Sequence, residues 1–217
     1  MKLSAVQEAL PWLLRAAVTT LWISVVAIVF GQILGLLVCL CRVSPNRALA
    51  RFGALYVSFF RGVPLLVQLL LTYDLLPYIG IDVPPLAAAI GTLSLASGAY
   101  SGEIYRGALN AIPRGHVEAA QALGFGPVAI WLRILLPQAL RISVPSLVNE
   151  LILLLKASSL ISIVGVTELA RTSHTLAAQT YRPFETYVTA ALIYLAMNLV
   201  LSGLGAAAER RLAAAGH

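Results

Sequence analysis

Residues 16–41 read AAVTTLWISVVAIVFGQILGLLVCLC, 26 positions between Arg15 and Arg42 with no charge among them. A helix rises about 1.5 Å per residue, so about 20 apolar residues cross the roughly 30 Å hydrocarbon core of a bilayer. A segment in lipid must satisfy its own backbone, which for a single apolar run means a helix. Two more uncharged runs are long enough: 20 residues between Asp82 and Glu103, and 23 between Glu185 and Glu209. The whole chain follows the same pattern. Its 217 residues are 59% hydrophobic and 11% charged, against about 25% charged in a soluble domain, and the mean hydropathy is +0.88.

Two further apolar stretches are interrupted, residues 55–76 by Arg61 and Asp74 and residues 140–166 by Glu150 and Lys156. Both are read as spans. A bare charge at mid-bilayer costs about 3 kcal/mol or more, so these residues must face protein or water, which marks them as functional candidates. The expected fold is an all-α integral membrane protein: one transmembrane domain over residues 1–217, with five spans near 12–41, 55–76, 84–105, 140–166 and 185–208. The first apolar run is too long for a secretory signal and no cleavage pattern follows Cys41, so the start of the chain is expected to stay attached.

The formal charge of +6 does not gather on a soluble domain or alternate with aromatics, which argues against nucleic-acid binding. It sorts across the membrane instead. With five spans, Arg42, Arg47, Arg51, Arg106, Arg114, Arg133, Arg141, Arg210 and Arg211 fall on one side, and Lys2, Arg15, Arg171 and Arg182 on the other. The positive-inside rule puts the first set in the cytoplasm, the N-terminus outside and the C-terminus inside. Residues 112–137 then form the only sizeable cytoplasmic segment. Within it Pro113 can open a surface helix carrying Val117, Ala120 and Gln121, with Gly124 as its turn.

In that segment stand Glu118-Ala119-Ala120, Gly124, Ile134 and Leu136-Pro137. Their identity and spacing resemble the EAA motif of the permease subunits of binding-protein-dependent ABC importers. The resemblance implies a coupling helix that docks on an ATPase subunit; an interfacial helix without a partner is the alternative. Residues 61–69, RGVPLLVQL, are similar to the "RGTPLLVQL" segment of the polar amino-acid permeases, with Val63 at the usual threonine. Ser97-Gly98-Ala99-Tyr100 with Glu103 and Arg106-Gly107 resembles their "SGAYxxEIxRG". Beyond Asn149, Lys156-Ala157-Ser158-Ser159-Leu160 resembles their "KDTSL", with Ala157 in place of an acid.

The residues also have direct physical readings. Pro64 after Gly62 should kink or break the second span, and broken spans often line pathways. Gln68 lies just beyond it. Ser94, Ser97, Tyr100 and Ser101 form a polar stripe at helical spacing, serving either helix packing or a translocation cavity. Glu103 and Arg106, i and i+3, read as an ion pair or as pathway residues. Glu150 and Lys156 lie on different helical faces and either contact a zwitterionic substrate or pair within the protein. Gly31 and Gly35 form a G-x-x-x-G that allows close helix approach.

No metal face or enzyme signature accompanies these features. His116, His174 and His217 have no i,i+4 partner, Cys39 and Cys41 read as small apolar residues, and H-E-x-x-H and G-x-S-x-G are absent. The only lysines, Lys2 and Lys156, follow no glycine, so the chain has no phosphate-binding loop and needs no cofactor of its own. The resemblance implies the transmembrane subunit of a bacterial inner-membrane importer for polar amino acids. Its expected partners are ATPase subunits that bind ATP and Mg, a second or homologous permease, and an external solute-binding protein. Two alternatives are an ion-coupled secondary transporter and an intramembrane serine protease using Ser101 and His174.

Overall fold

The structure, a computed structural model, describes the backbone of residues 3–214 and the side chains of residues 8–211; Lys2 and His217 lie outside the described residues. Among these residues the fold is helical throughout: α1 (Leu3–Val43), α2 (Arg47–Gly62), α3 (Leu65–Leu70), α4 (Pro85–Asn110), α5 (Arg114–Ala122), α6 (Pro127–Ile130), α7 (Leu136–Ala157), α8 (Leu169–Thr180) and α9 (Pro183–Ala214). Short π and 3-10 turns extend α3 through Ile79, join α6 to α7, and carry α7 on to Ser162.

At about 1.5 Å per residue the 41 residues of α1 exceed the bilayer core, so this helix projects beyond it. It ends before Ser44-Pro45, where proline disfavours helix in the residue before it. Asn46 then caps α2, its Oδ1 accepting from Ala48 N at 2.9 Å.

α4 is the central element, packed along α1 on one side and against α7 and α2 on others. Small residues make this possible. A Cβ added at Gly31 would lie 2.6 Å from Ser97 Cβ, and one at Gly35 would lie 2.7 Å from Ser101 Cβ, so the two backbones meet at a distance only glycine allows. The main apolar core joins α1 (Ile23, Ala27), α3 (Leu69), α4 (Ala89, Leu93) and α7 (Leu154).

Among the described residues three segments are long and apolar enough to cross a membrane: 8–43, 127–162 and 183–211. The expected second span is not one helix. α2 and the α3 segment meet at a 106° bend, and they add a fourth crossing only if the bent pair counts as one span. Pro64 supplies no N–H for Phe60 O, and Val63 and Pro64 have extended ψ of 133° and 138°, so the helix stops and restarts in a new direction. α4, the expected third span, is not among the long apolar segments. Its serines and glycines lower its hydropathy because it faces protein rather than lipid. The fourth stretch also differs from expectation: α7 ends at Ala157, and Gly165 at φ +92° turns the chain before residue 166.

Beyond that turn Glu168 is fully buried, outside the spans, and holds α8 in place. Its carboxylate accepts from Ala170 N at 2.9 Å, Arg171 N at 2.8 Å, Tyr194 Oη at 3.0 Å and Thr20 Oγ1 at 3.3 Å. It thus caps α8 while tying it to α1 and α9. Burial pushes the Glu168 carboxyl above its usual range, and these four hydrogen bonds oppose that shift.

Candidate functional site

The break after Gly62 leaves carbonyls exposed inside the protein, and Gln68 seals them. Its Nε2 donates to Phe60 O at 2.9 Å and to Val63 O at 2.8 Å. Phe60 O is the acceptor that the missing N–H of Pro64 would have served. The amide therefore closes the break with one end, and its Oε1 is buried without a partner.

A cavity of about 530 Å³ opens beside this break, lined by Phe60 to Leu65, Gln68, Ala96, Ser97, Tyr100, Glu150, Leu153, Leu154 and Ala157. Its size lies within the roughly 300–1,000 Å³ of small-molecule sites. Among the described residues three of its polar side chains have a buried atom without a partner at full hydrogen-bonding geometry, Gln68 Oε1, Ser97 Oγ and Glu150 Oε2, the Ser97 and Glu150 side chains lying beside one another. A buried polar atom left without a partner costs about 1–3 kcal/mol, so three at one cavity mark a place where a ligand or water completes the bonding. Arg61 stands at the exposed side with its guanidinium 5.2 Å from the Tyr100 ring centroid, a cation–π distance, and makes no ion pair among the described residues.

Of the twelve pathway candidates, Arg61, Pro64, Gln68, Ser97, Tyr100 and Glu150 therefore meet at one cavity. The other six lie elsewhere. Ser94 Oγ donates to Ile90 O at 2.6 Å within α4. Glu103 is clamped between Arg42 of α1, at 3.0 Å, and Arg106, at 2.7 Å. Asn149 and Lys156 are exposed. Ser158 and Ser159 turn back to the carbonyls of Leu155 and Lys156, at 2.8 and 2.9 Å.

The polar stripe of α4 thus divides. Ser101 accepts from Gln32 Nε2 of α1 at 2.9 Å, and Gln32 Oε1 accepts from Tyr105 Oη at 2.7 Å, whereas Ser97 and Tyr100 line the cavity. Ser101 is fully buried on α4, whereas His174 lies on α8 beside a separate groove lined by Arg171 and Tyr194.

The segment 112–137 folds as α5, a turn, and the start of the long α6–α7 segment. Gly124 has φ +78° and closes α5, with Phe125 N donating to Ala120 O at 3.0 Å. Ala120 is buried, Ile134 and Leu136 are half-buried, and Glu118, Ala119, Gly124 and Pro137 are exposed. His116 Nδ1 donates to Gln138 Oε1 at 2.8 Å, tying α5 to α7. Around the turn Leu123, Val128 and Leu132 are strongly exposed, and a groove of about 460 Å³ runs from Gly126 to Arg133.

Sequence reading missed several of these participants. The apolar cavity wall of Leu153 and Leu154 is indistinguishable within an apolar span. Arg42 entered only as a topological charge, and Glu168, one acid in a loop, gave no signal.

Residues 27–214 match the family described as binding-protein-dependent transport system inner membrane component. The chain belongs to this family. It is 39% identical over 202 residues to a putative glutamine transport system permease of Rickettsia bellii, covering 93% of each chain. To the arginine transport system permease of Bacillus subtilis it is 39% identical over 210 residues, covering 96% of each. A solved amino acid ABC transporter with histidines overlays this permease with TM-score 0.92 at 33% identity, covering 97% of this chain and 99% of that one. An inward-facing methionine ABC transporter overlays it with TM-score 0.80 at 27% identity.

Proposed function

We propose that this permease forms the translocation pathway of an ATP-driven importer for polar amino acids, and that the cavity at the broken α2–α3 span is part of that pathway. The observation that carries this reading is the convergence of three unpartnered buried polar atoms and an unpaired arginine on one cavity. A cavity offering both signs of charge suits a zwitterion, and a span broken at mid-course is the usual way a membrane protein presents polar backbone to a solute. The relatives named for glutamine and arginine transport support the substrate class.

ATP and Mg belong to partner ATPase subunits. The docking surface for these subunits is the α5–α6 turn, where Glu118, Ala119, Ala120 and Gly124 adjoin the exposed Leu123, Val128 and Leu132, followed along the chain by the half-buried Ile134 and Leu136 and the exposed Pro137. A second permease, identical or homologous, completes the pathway, and an external solute-binding protein delivers the amino acid. Closure of the ATPase pair draws the two coupling turns together and rocks the helical bundles, exposing the cavities alternately to the two sides. The chain sits in the inner membrane with its N-terminus outside and its arginine-rich side in the cytoplasm.

Reconstitution with the cognate ATPase and binding protein tests this. Uptake of polar amino acids should require ATP; uptake driven by a proton or sodium gradient alone, transport of a sugar only, or peptide cleavage would each defeat it. Gly124→Leu should insert normally but abolish ATP-dependent uptake, because leucine tolerates a φ near +78° poorly. For orientation, in a variant lacking Cys39 and Cys41, Thr175→Cys should label from outside and Gly115→Cys should not; the reverse would overturn the topology.

A further inference from the structure

We propose that the cavity selects amino acids whose side chain carries no net charge, a deepening that rests on the amino-acid importer reading above. The family relatives leave this open, since one is named for glutamine and another, at the same 39% identity, for arginine. The cavity decides it by its inventory of charges. Among the described residues its lining holds one cation, Arg61, and one carboxyl, Glu150, so its formal charges sum to zero.

An amino acid brings one ammonium and one carboxylate, and each has a counterpart. The ammonium is a three-donor group without acceptors. The three unpartnered atoms at the cavity, Gln68 Oε1, Ser97 Oγ and Glu150 Oε2, all accept hydrogen bonds. Arg61 offers a planar fork of donors suited to a carboxylate and makes no ion pair among the described residues. With the zwitterionic head matched, the side chain is left facing the rest of the wall, which includes Leu153 and Ala157 and, among the described residues, contains no other charged group.

A guanidinium or second carboxylate placed there would lose water and gain no opposite charge, which a buried site penalises strongly. Ala157 is the telling position. It stands on α7 seven residues after Glu150, about two turns further along, and lines the same cavity. An acid at this position would give a cationic side chain its partner; alanine gives none.

The test uses the purified permease–ATPase complex without the solute-binding protein, so that the permease's own preference is read by calorimetric titration with glutamine, arginine and glutamate. Glutamine should bind at least tenfold more tightly than either charged amino acid. Ala157→Asp should move the arginine-to-glutamine affinity ratio at least tenfold towards arginine. Glu150→Gln, which preserves shape, should weaken glutamine at least tenfold while leaving the melting temperature of the complex in place, so the proposal does not depend on how well the aspartate variant folds. Arginine or glutamate binding as tightly as glutamine overturns the proposal but not the importer reading. So does an unchanged ratio in a folded Ala157→Asp complex, or the absence of amino-acid binding while ATP-dependent amino-acid uptake persists in the full assembly. Absence of amino-acid uptake in that assembly overturns both.

Discussion

Ser97 and Ser101 stand about one turn apart on α4, both with no exposed surface, yet their hydroxyls meet different fates. Ser101 is held by Gln32 of α1 in a seam where Gly35 brings the backbones together and where Arg42 and Glu103 close the far end. Ser97 also backs onto α1, at Gly31, but among the described residues its hydroxyl has no partner at full hydrogen-bonding geometry, standing beside the Glu150 carboxyl where it borders the cavity. One helix thus carries a sealed face and an incomplete one, built from the same small polar residues. On this helix residue type does not separate the seam from the cavity wall; Ser101 has a partner at hydrogen-bonding geometry and Ser97 does not.

The seam is the place where substitution should cost most. Gly35→Val would put a Cβ 2.7 Å from Ser101 Cβ and 3.1 Å from Gly102 N, and neither can retreat, since one is anchored on a buried helix and the other is backbone. Overpacking of this kind costs about 1–3 kcal/mol, occasionally more. The melting temperature of the detergent-solubilised protein should fall sharply. Gly107→Ala on the same helix, where a Cβ meets nothing within 4 Å, should leave it nearly unchanged. Equal effects of the two would mean that α1 and α4 do not pack as described.

The legibility of the two faces also differed. The seam could be read from Gly31 and Gly35, because a four-residue spacing places both on one side of a helix. The break could be read from Pro64, because a missing N–H is a property of one residue. Its 106° angle could not, since it depends on how Leu69, Ala89 and Leu93 pack together after the break. The central position of α4 was hidden for a physical reason. Hydropathy measures affinity for lipid, and a helix surrounded by protein has no need of it. Half of the pathway candidates reached the cavity; Ser158 and Ser159 did not, because α7 stops at Ala157 and a tighter turn directs their hydroxyls to nearby carbonyls. The apolar wall of the cavity carried no signal, since leucine in a span looks the same whether it faces lipid, core or ligand.

A smaller effect is expected at the hydrogen bonds of the seam. Ser101→Ala would leave Gln32 Nε2 without its acceptor while Tyr105 still holds Gln32 Oε1. Interhelical hydrogen bonds in membrane proteins are worth about 0.6 kcal/mol on average, and an orphaned buried amide costs about 1–3 kcal/mol, so a loss of about 1 kcal/mol is expected. Denaturation in mixed micelles should show this together with unchanged substrate affinity. A triple variant that adds Gln32→Leu and Tyr105→Phe, removing all three partners of this chain of hydrogen bonds, should recover part of the loss. If Ser101→Ala instead altered affinity and left stability alone, the sealed face would belong to the pathway and the division of α4 would fail.

Ser97→Ala should cost the least stability and sharpen the comparison most. Among the described residues its hydroxyl has no partner at full hydrogen-bonding geometry and only a weaker contact with the Glu150 carboxyl, so removing it deletes little bonding. The stability change should lie within about 0.5 kcal/mol of zero, of either sign. Function should respond in the opposite way. If the hydroxyl serves the solute, uptake by the reconstituted importer should show a raised KM for the amino acid, by about five- to tenfold for the loss of one hydrogen bond of about 1–1.4 kcal/mol, with ATPase docking unaffected. Ser97→Thr tests the same point by keeping the oxygen and adding a methyl group: a KM nearer to that of the parent than the alanine variant's would assign the effect to the hydroxyl rather than to cavity shape. An alanine variant with the parental KM and a lowered melting temperature would place Ser97 in the seam with Ser101, and the cavity would then lose one of the three acceptors on which its reading depends.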